Sequence, residues 1–172
     1  MKLKSFLATL TAAVMFMSSC GDDDEKDDPI GMVTDWAPII VNFSVENLDG
    51  SVNYVNDNFN DIIHTTTLTY KDKTYSVEEN KLSKTYMPFF DGLIIVSTDT
   101  QEKYFRFGEL DGSKDFDDDF VINFADGSSD VIHFKRVHKG GLNVDDNWTL
   151  NGKASSDRIF CLKHEFADGK SN

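Results

Sequence analysis

The stretch Phe120-Val121-Ile122-Asn123-Phe124, Ala125-Asp126-Gly127-Ser128, Asp130-Val131-Ile132-His133-Phe134-Lys135 constrains this chain more than any other. Apolar residues fall at every second position on both arms. Successive side chains of a strand point to opposite faces, so each arm has one face to bury and one to wet. Asp-Gly between two such arms is the strongest short-range hairpin signal, because the tight turn needs a positive φ that glycine adopts freely. A lone hairpin is marginal in water, so further strands and a second layer are required to cover its apolar face.

Those strands are legible elsewhere. Ile39–Val45, Ile62–Tyr70, Thr74–Val77, Leu93–Val96, Lys103–Phe107, Trp148–Leu150 and Ile159–Leu162 are rich in branched and aromatic residues and are bounded by turn formers. Asp-Gly recurs at 49–50, 91–92, 111–112, 126–127 and 168–169 without a fixed period, which marks turns and not a repeat array. No segment carries a sustained helical stripe; Glu78–Lys84 is read as one or two helical turns. The expected fold is all-β, an antiparallel β-sandwich of about seven to nine strands. The 14 phenylalanines supply its core. Cys161, inside Arg158-Ile159-Phe160-Cys161-Leu162, is read as a buried, unreactive thiol.

The chain opens with Lys2 and Lys4, followed by an uncharged run from Phe6 to Met17. That run is shorter than the roughly 20 residues a helix needs to span a bilayer. A basic start, a short apolar centre and small residues Ser18 and Ser19 make residues 1–19 a secretory signal peptide. The acidic block Asp22-Asp23-Asp24-Glu25-Lys26-Asp27-Asp28 repels itself and cannot bury, so residues 20–35 are read as a solvated tether and 36–172 as the β-sandwich domain. Met17-Ser18-Ser19-Cys20 resembles the lipobox of bacterial lipoproteins, with Met17 where Leu is usual and Ser19 where Gly or Ala is usual. The resemblance implies that Cys20 becomes the first mature residue and carries acyl chains. Several chains anchor firmly without a spanning helix, at about 0.8 kcal/mol for each buried methylene. The acidic run after Cys20 is similar to the tract in surface-exposed lipoproteins of Bacteroidetes-type bacteria.

Charge narrows the partners. With 30 acidic against 17 basic residues and a formal net charge of −13, the chain is ill-suited to nucleic acid or to a basic grip on anionic lipid. Its membrane contact is expected through the anchor alone. No GxGxxG or GKS/T phosphate loop is present, no GxSxG elbow occurs, and His64, His133, His138 and His164 form neither HxH nor HExxH. Asp115, Asp117 and Asp119 are a candidate calcium loop, since calcium accepts several oxygens in flexible geometry. No EF-hand register fits, because Phe120 or Phe116 falls where glycine is needed. No cofactor is expected beyond that candidate calcium, since the histidine spacing does not suit zinc. Glu102, Glu109 and Asp111 are the acids from which a glycosidase pair would be drawn, but a pair needs a fixed separation that sequence does not give. Tyr54, Tyr86, Phe89, Phe90 and Trp148 are read first as packing and second as a platform for sugar or peptide.

Trp36-Ala37-Pro38, Phe107-Gly108-Glu109-Leu110-Asp111-Gly112, Asp126-Gly127-Ser128-Ser129-Asp130 and Trp148-Thr149-Leu150-Asn151-Gly152 resemble small uncharacterised Bacteroidetes-type surface lipoproteins with an immunoglobulin- or transthyretin-like domain. The resemblance implies an outer-membrane, surface-exposed protein and transfers no catalytic residue. The expected function is that of a non-catalytic, lipid-anchored module binding a glycan, protein or envelope partner. The alternatives are a small surface hydrolase acting on polysaccharide and a structural subunit of a surface assembly.

Overall fold

A computed structural model of the chain describes residues 37–78, 92–141 and 143–166, all within the compact unit Thr34–Asn172. The signal segment, Cys20 and the acidic tether lie outside the described residues, as do Tyr86, Phe89, Phe90 and most of the expected Glu78–Lys84 turn.

The described residues form two sheets and one short helix. In chain order these are β1 (Ile39–Glu46), α1 (Asn60–Thr65), β2 (Thr67–Tyr70), β3 (Lys73–Ser76), β4 (Leu93–Ser97), β5 (Lys103–Leu110), β6 (Phe116–Asn123), β7 (Ser129–His138), β8 (Val144–Leu150), β9 (Lys153–Ser155) and β10 (Phe160–Lys163). One sheet has the order β10-β1-β5-β4 and the other β3-β2-β6-β7-β8-β9, so the all-β, two-layer expectation matches the architecture. The β6–β7 hairpin pairs Asn123 with Ser129 and Phe116 with Arg136. Gly127 sits at φ +83° in its turn, and Asp126 Oδ1 accepts the Ser128 N–H at 2.8 Å, which closes the loop.

The alternation read from the sequence decides what meets in the middle. Val41, Phe43 and Val45 of β1, Phe105 and Phe107 of β5, Phe120 and Ile122 of β6, and Ile132 and Phe134 of β7 are almost wholly buried. Phe107 reaches across the sheets, with ring centroids 4.9 Å from Tyr75 and 5.9 Å from Tyr70 and Phe120. Trp148 stacks on Phe134 at 4.0 Å and tilts against Phe160 of the opposite sheet at 5.5 Å. It therefore belongs to packing and not to an exposed platform. Tyr54 is likewise in the core.

Four expectations are corrected. Ile62–Tyr70 is not one strand: residues 60–65 are helical and only 67–70 extend. Ile63 points into the core, and the Thr66 hydroxyl bonds back to the Ile62 carbonyl at 2.7 Å, ending the helix. The described residues carry ten strands, because Asn151-Gly152, with φ +50° and +75°, makes the two-residue turn that adds β9. The sandwich is not purely antiparallel, since β1 and β10 run parallel. A parallel pair needs a long crossover, and here nearly the whole domain lies between its two strands. Finally, Cys161 is only half-buried, while its neighbours Phe160 and Leu162 take the core face.

One polar device closes an end of the sandwich. Arg136 of β7, 6 % exposed, holds Asp146 with two bonds of 2.7 Å and donates to the carbonyls of Ala37 at 2.9 Å and Gly112 at 3.2 Å. Gly112 is glycine for space. A Cβ there would lie 2.2 Å from the Ala37 oxygen and 2.4 Å from Arg136 Nη1.

Candidate functional site

The candidate calcium residues do not form a loop. Asp117 and Asp119 lie on the outer face of β6, opposite Lys135 and His133 of β7, and Asp115 just precedes the strand. Asp117 takes Lys135 Nζ at 2.5 Å, Asp119 takes His133 Nδ1 at 2.8 Å, and Asp115 accepts the His138 N–H at 2.7 Å. The Lys135 bond holds the Asp117 carboxyl below its ordinary range, and the His138 N–H does the same for Asp115. Asp117 and Asp119 flank His133, which lies 3.4 Å from the one and 2.8 Å from the other, while Asp115, ahead of the strand, is turned to His138. Among the described residues, no group of three or more His, Cys, Asp or Glu side chains is placed to hold a metal ion.

Of the acids named for glycoside hydrolysis, Glu102 lies far from the other two, and Glu109 and Asp111 are each engaged locally. Glu102 precedes β5, whereas Glu109 and Asp111 sit at its far end. Seven residues of strand put Glu102 and Glu109 about 23 Å apart, against roughly 5–9.5 Å for a working pair. Glu109 occupies a bulge at φ +127° and is held by Arg106 at 2.9 Å. Asp111 accepts the Ser113 N–H at 2.8 Å as a turn former.

The fold does bring together a Ser-His-Asp group that sequence spacing did not reveal. His164, after β10, places Nε2 at 2.6 Å from Asp130 Oδ2 and Nδ1 at 3.3 Å from Ser128 Oγ. Asn151 completes it, donating to Asp130 Oδ1 at 2.7 Å and accepting the Val131 N–H at 2.9 Å. The arrangement is that of a latch. Ser128 gives its hydroxyl proton to Asp126 at 2.5 Å, so the imidazole is not placed to receive it. The N–H groups of Gly127 and Ser128 are spent on Phe124 O and Asp126 Oδ1, leaving neither for an oxyanion. The ring packs against Phe124 at 4.2 Å and Phe166 at 5.6 Å. Its work is to tie the end of β10 in one sheet to the β6–β7 hairpin of the other.

Cys161 is equally unsuited to nucleophilic chemistry. Burial pushes its thiol up, and a hydrogen bond to Glu46 adds to the shift.

Among the described residues, two clefts lie at the same end as the latch, on either side of α1. A cleft of about 410 Å³ has Ile63, Val77 and Ile95 among its lining, with Asn60, His64 and Lys103 at its polar parts. Lys103 Nζ is fixed by Asn58 Oδ1 at 2.5 Å, and Asn58 itself sits at φ +60°. A second cleft of about 290 Å³ lies between α1 and the β6–β7 turn, lined by Ile62, Phe124, Ala125 and Phe166 together with Asp61 and Asp126. Sequence reasoning missed both, because the helix that walls them was read as strand and Asp126 as a turn residue alone. No family model, curated protein or solved structure matches the chain.

Proposed function

We propose that the chain is a lipid-anchored β-sandwich displayed at the outer-membrane surface, acting without catalysis and holding a glycan, protein or envelope partner at the end of the domain that carries α1. The observation that carries this reading is polarity along the sandwich. The chain arrives at Ala37, which Arg136 clamps beside Gly112. From there β1 runs eight residues to Glu46, and α1, the β6–β7 turn, the β4–β5 turn and His164 all lie beyond its far end. Eight residues of strand place those clefts about 26 Å from Ala37, at the opposite end of β1.

The anchor supplies the test. Cys20→Ala is expected to abolish labelling by fatty acid and to release the protein from the membrane fraction. On intact cells, the parent protein is expected to be degraded by added protease. Persistent fatty-acid labelling of the variant defeats the lipid at Cys20, and protection of the parent from protease defeats surface display.

A further inference from the structure

The smaller cleft has a composition that selects charge. Its apolar walls are Ile62, Phe124, Ala125 and Phe166, and the two ionisable side chains lining it are Asp61 and Asp126. Neither Lys nor Arg is among the described residues around it. Phe124 and Phe166 meet at 5.5 Å with planes 58° apart, and Tyr54 braces Phe166 edge-on at 5.1 Å. His164 stands behind the two phenyl rings and gives its close contact, 2.6 Å, to Asp130. Asp126 is kept ionised by the Ser128 hydroxyl and N–H.

Aromatic faces attract cations through the ring quadrupole, and a carboxylate beside them attracts the same charge independently. A neutral apolar ligand would leave both carboxylates unused, and an anion would be repelled. At about 290 Å³ the cleft is at the lower limit for a small-molecule site and open to one side, dimensions suited to one side chain presented from a surface. From the geometry we infer that the cleft between α1 and the β6–β7 turn binds a basic side chain, arginine or lysine, of a protein partner. Guanidinium is the better match, because its planar face can stack on the part-exposed Phe166 ring while its edge bonds carboxylate. This inference names the ligand class of the end assigned above to binding and rests on that reading only for location.

The test uses the full chain in detergent micelles, labelled with ¹³C at isoleucine and alanine methyls. The probes are N-acetyl-arginine amide and N-acetyl-citrulline amide, which share shape and differ in charge. The arginine probe is expected to shift the Ile62 and Ala125 methyls, and the citrulline probe to bind about fivefold more weakly. Asp61→Asn/Asp126→Asn is expected to weaken the arginine probe about fivefold to tenfold. Asparagine at 126 keeps the oxygen that accepts the Ser128 N–H, so the turn survives; an unchanged methyl spectrum of the unliganded variant confirms it. Equal binding of citrulline, full affinity in the double variant, or shifts confined to other methyls overturns the proposal. Each of these outcomes is independent of Cys20 labelling, so the cation site and the anchor stand or fall separately.

Discussion

Arg136→Met is the perturbation that most directly tests how this sandwich is closed. The guanidinium has a side-chain exposure of 7 % and makes four bonds: two to Asp146 and one each to the carbonyls of Ala37 and Gly112. Breaking a buried ion pair costs about 3–5 kcal/mol, mainly because the surviving charge is left without a partner. Here Asp146 is 34 % exposed and can turn to water, which lowers the cost, while the buried Gly112 carbonyl loses its donor, which raises it. The balance is a loss of about 3 kcal/mol. With a urea slope of about 2 kcal/mol/M for a domain of this size, the midpoint should fall by about 1.5 M. Arg136→Lys should lose about half as much, since an ammonium cannot hold both Asp146 oxygens and reach the two carbonyls. Arg136→Met/Asp146→Leu should recover part of the loss by removing the stranded charge. A midpoint shift below about 0.3 M for Arg136→Met, or strict additivity of the two single losses, would refute the account, because either means the pair is not coupled.

Gly112→Ala should destabilise the same end by about 2 kcal/mol or more, because the new methyl overlaps backbone oxygen at 2.2 Å and must displace Ala37 or Arg136; equilibrium unfolding measures it, and a neutral result would mean that the chain near Ala37 is not held. Ile63→Ala should cost about 2–4 kcal/mol and loosen α1, read as faster hydrogen exchange at the Thr66 amide, which bonds to Ile62 O. Acid should destabilise the domain through Asp115, Asp117 and Asp126, whose folded carboxyls are held below the ordinary 3.8, Asp117 chiefly by Lys135, Asp115 by the His138 N–H and Asp126 by the Ser128 hydroxyl. A depressed folded pKa gives stability that is full above the unfolded value and is lost as pH falls through the folded one, so Tm should hold steady above that value and drop beneath it. Lys135→Met should make that acid decline shallower while changing Tm little at neutral pH, and an unchanged decline would remove Asp117 from the explanation.

How much of this was legible depends on the range over which each feature is decided. The β6–β7 hairpin was readable because its alternation and its Asp-Gly turn are local, and the same holds for β1 and β5. The segment Ile62-Ile63-His64-Thr65-Thr66 has β-branched residues throughout apart from His64, and by propensity it is strand. Six residues cannot sustain a helix alone. What makes one here is packing that propensity does not register: Ile63 reaches the core, and Tyr54 and Phe59 pack edge to face at 5.2 Å ahead of the helix. Asp117 and Asp119 lie in a strand and not in a loop for a related reason. Polar residues at 117 and 119 satisfy the outward side of a strand as well as they satisfy a turn, and only the facing Lys135 and His133 decide between them. Asn151-Gly152 is the opposite case, a local hairpin signal present in the sequence and passed over. The latch of Ser128, Asp130, Asn151 and His164 spans 36 residues between Ser128 and His164 and carries no spacing rule at all.

The same distinction explains why the proposed recognition surface should be sought at the α1 end and not on a sheet face. On the outer side of the six-stranded sheet, polar groups satisfy one another across strands: Asp117 with Lys135, Asp119 with His133, Thr69 with Thr74, and Asn123 with Thr69. A ligand docking there would have to replace bonds already made, gaining little for each one broken. Strand alternation also makes such a face shallow, whereas pockets need walls. The interruption of the β pattern at residues 60–65 supplies a wall, and it leaves Asp61 on the side of the smaller cleft and His64 on the side of the larger. Among the described residues, the segment that departs furthest from the expected strand pattern is thus the one that walls both clefts, with Asp61 and Asp126 lining the smaller.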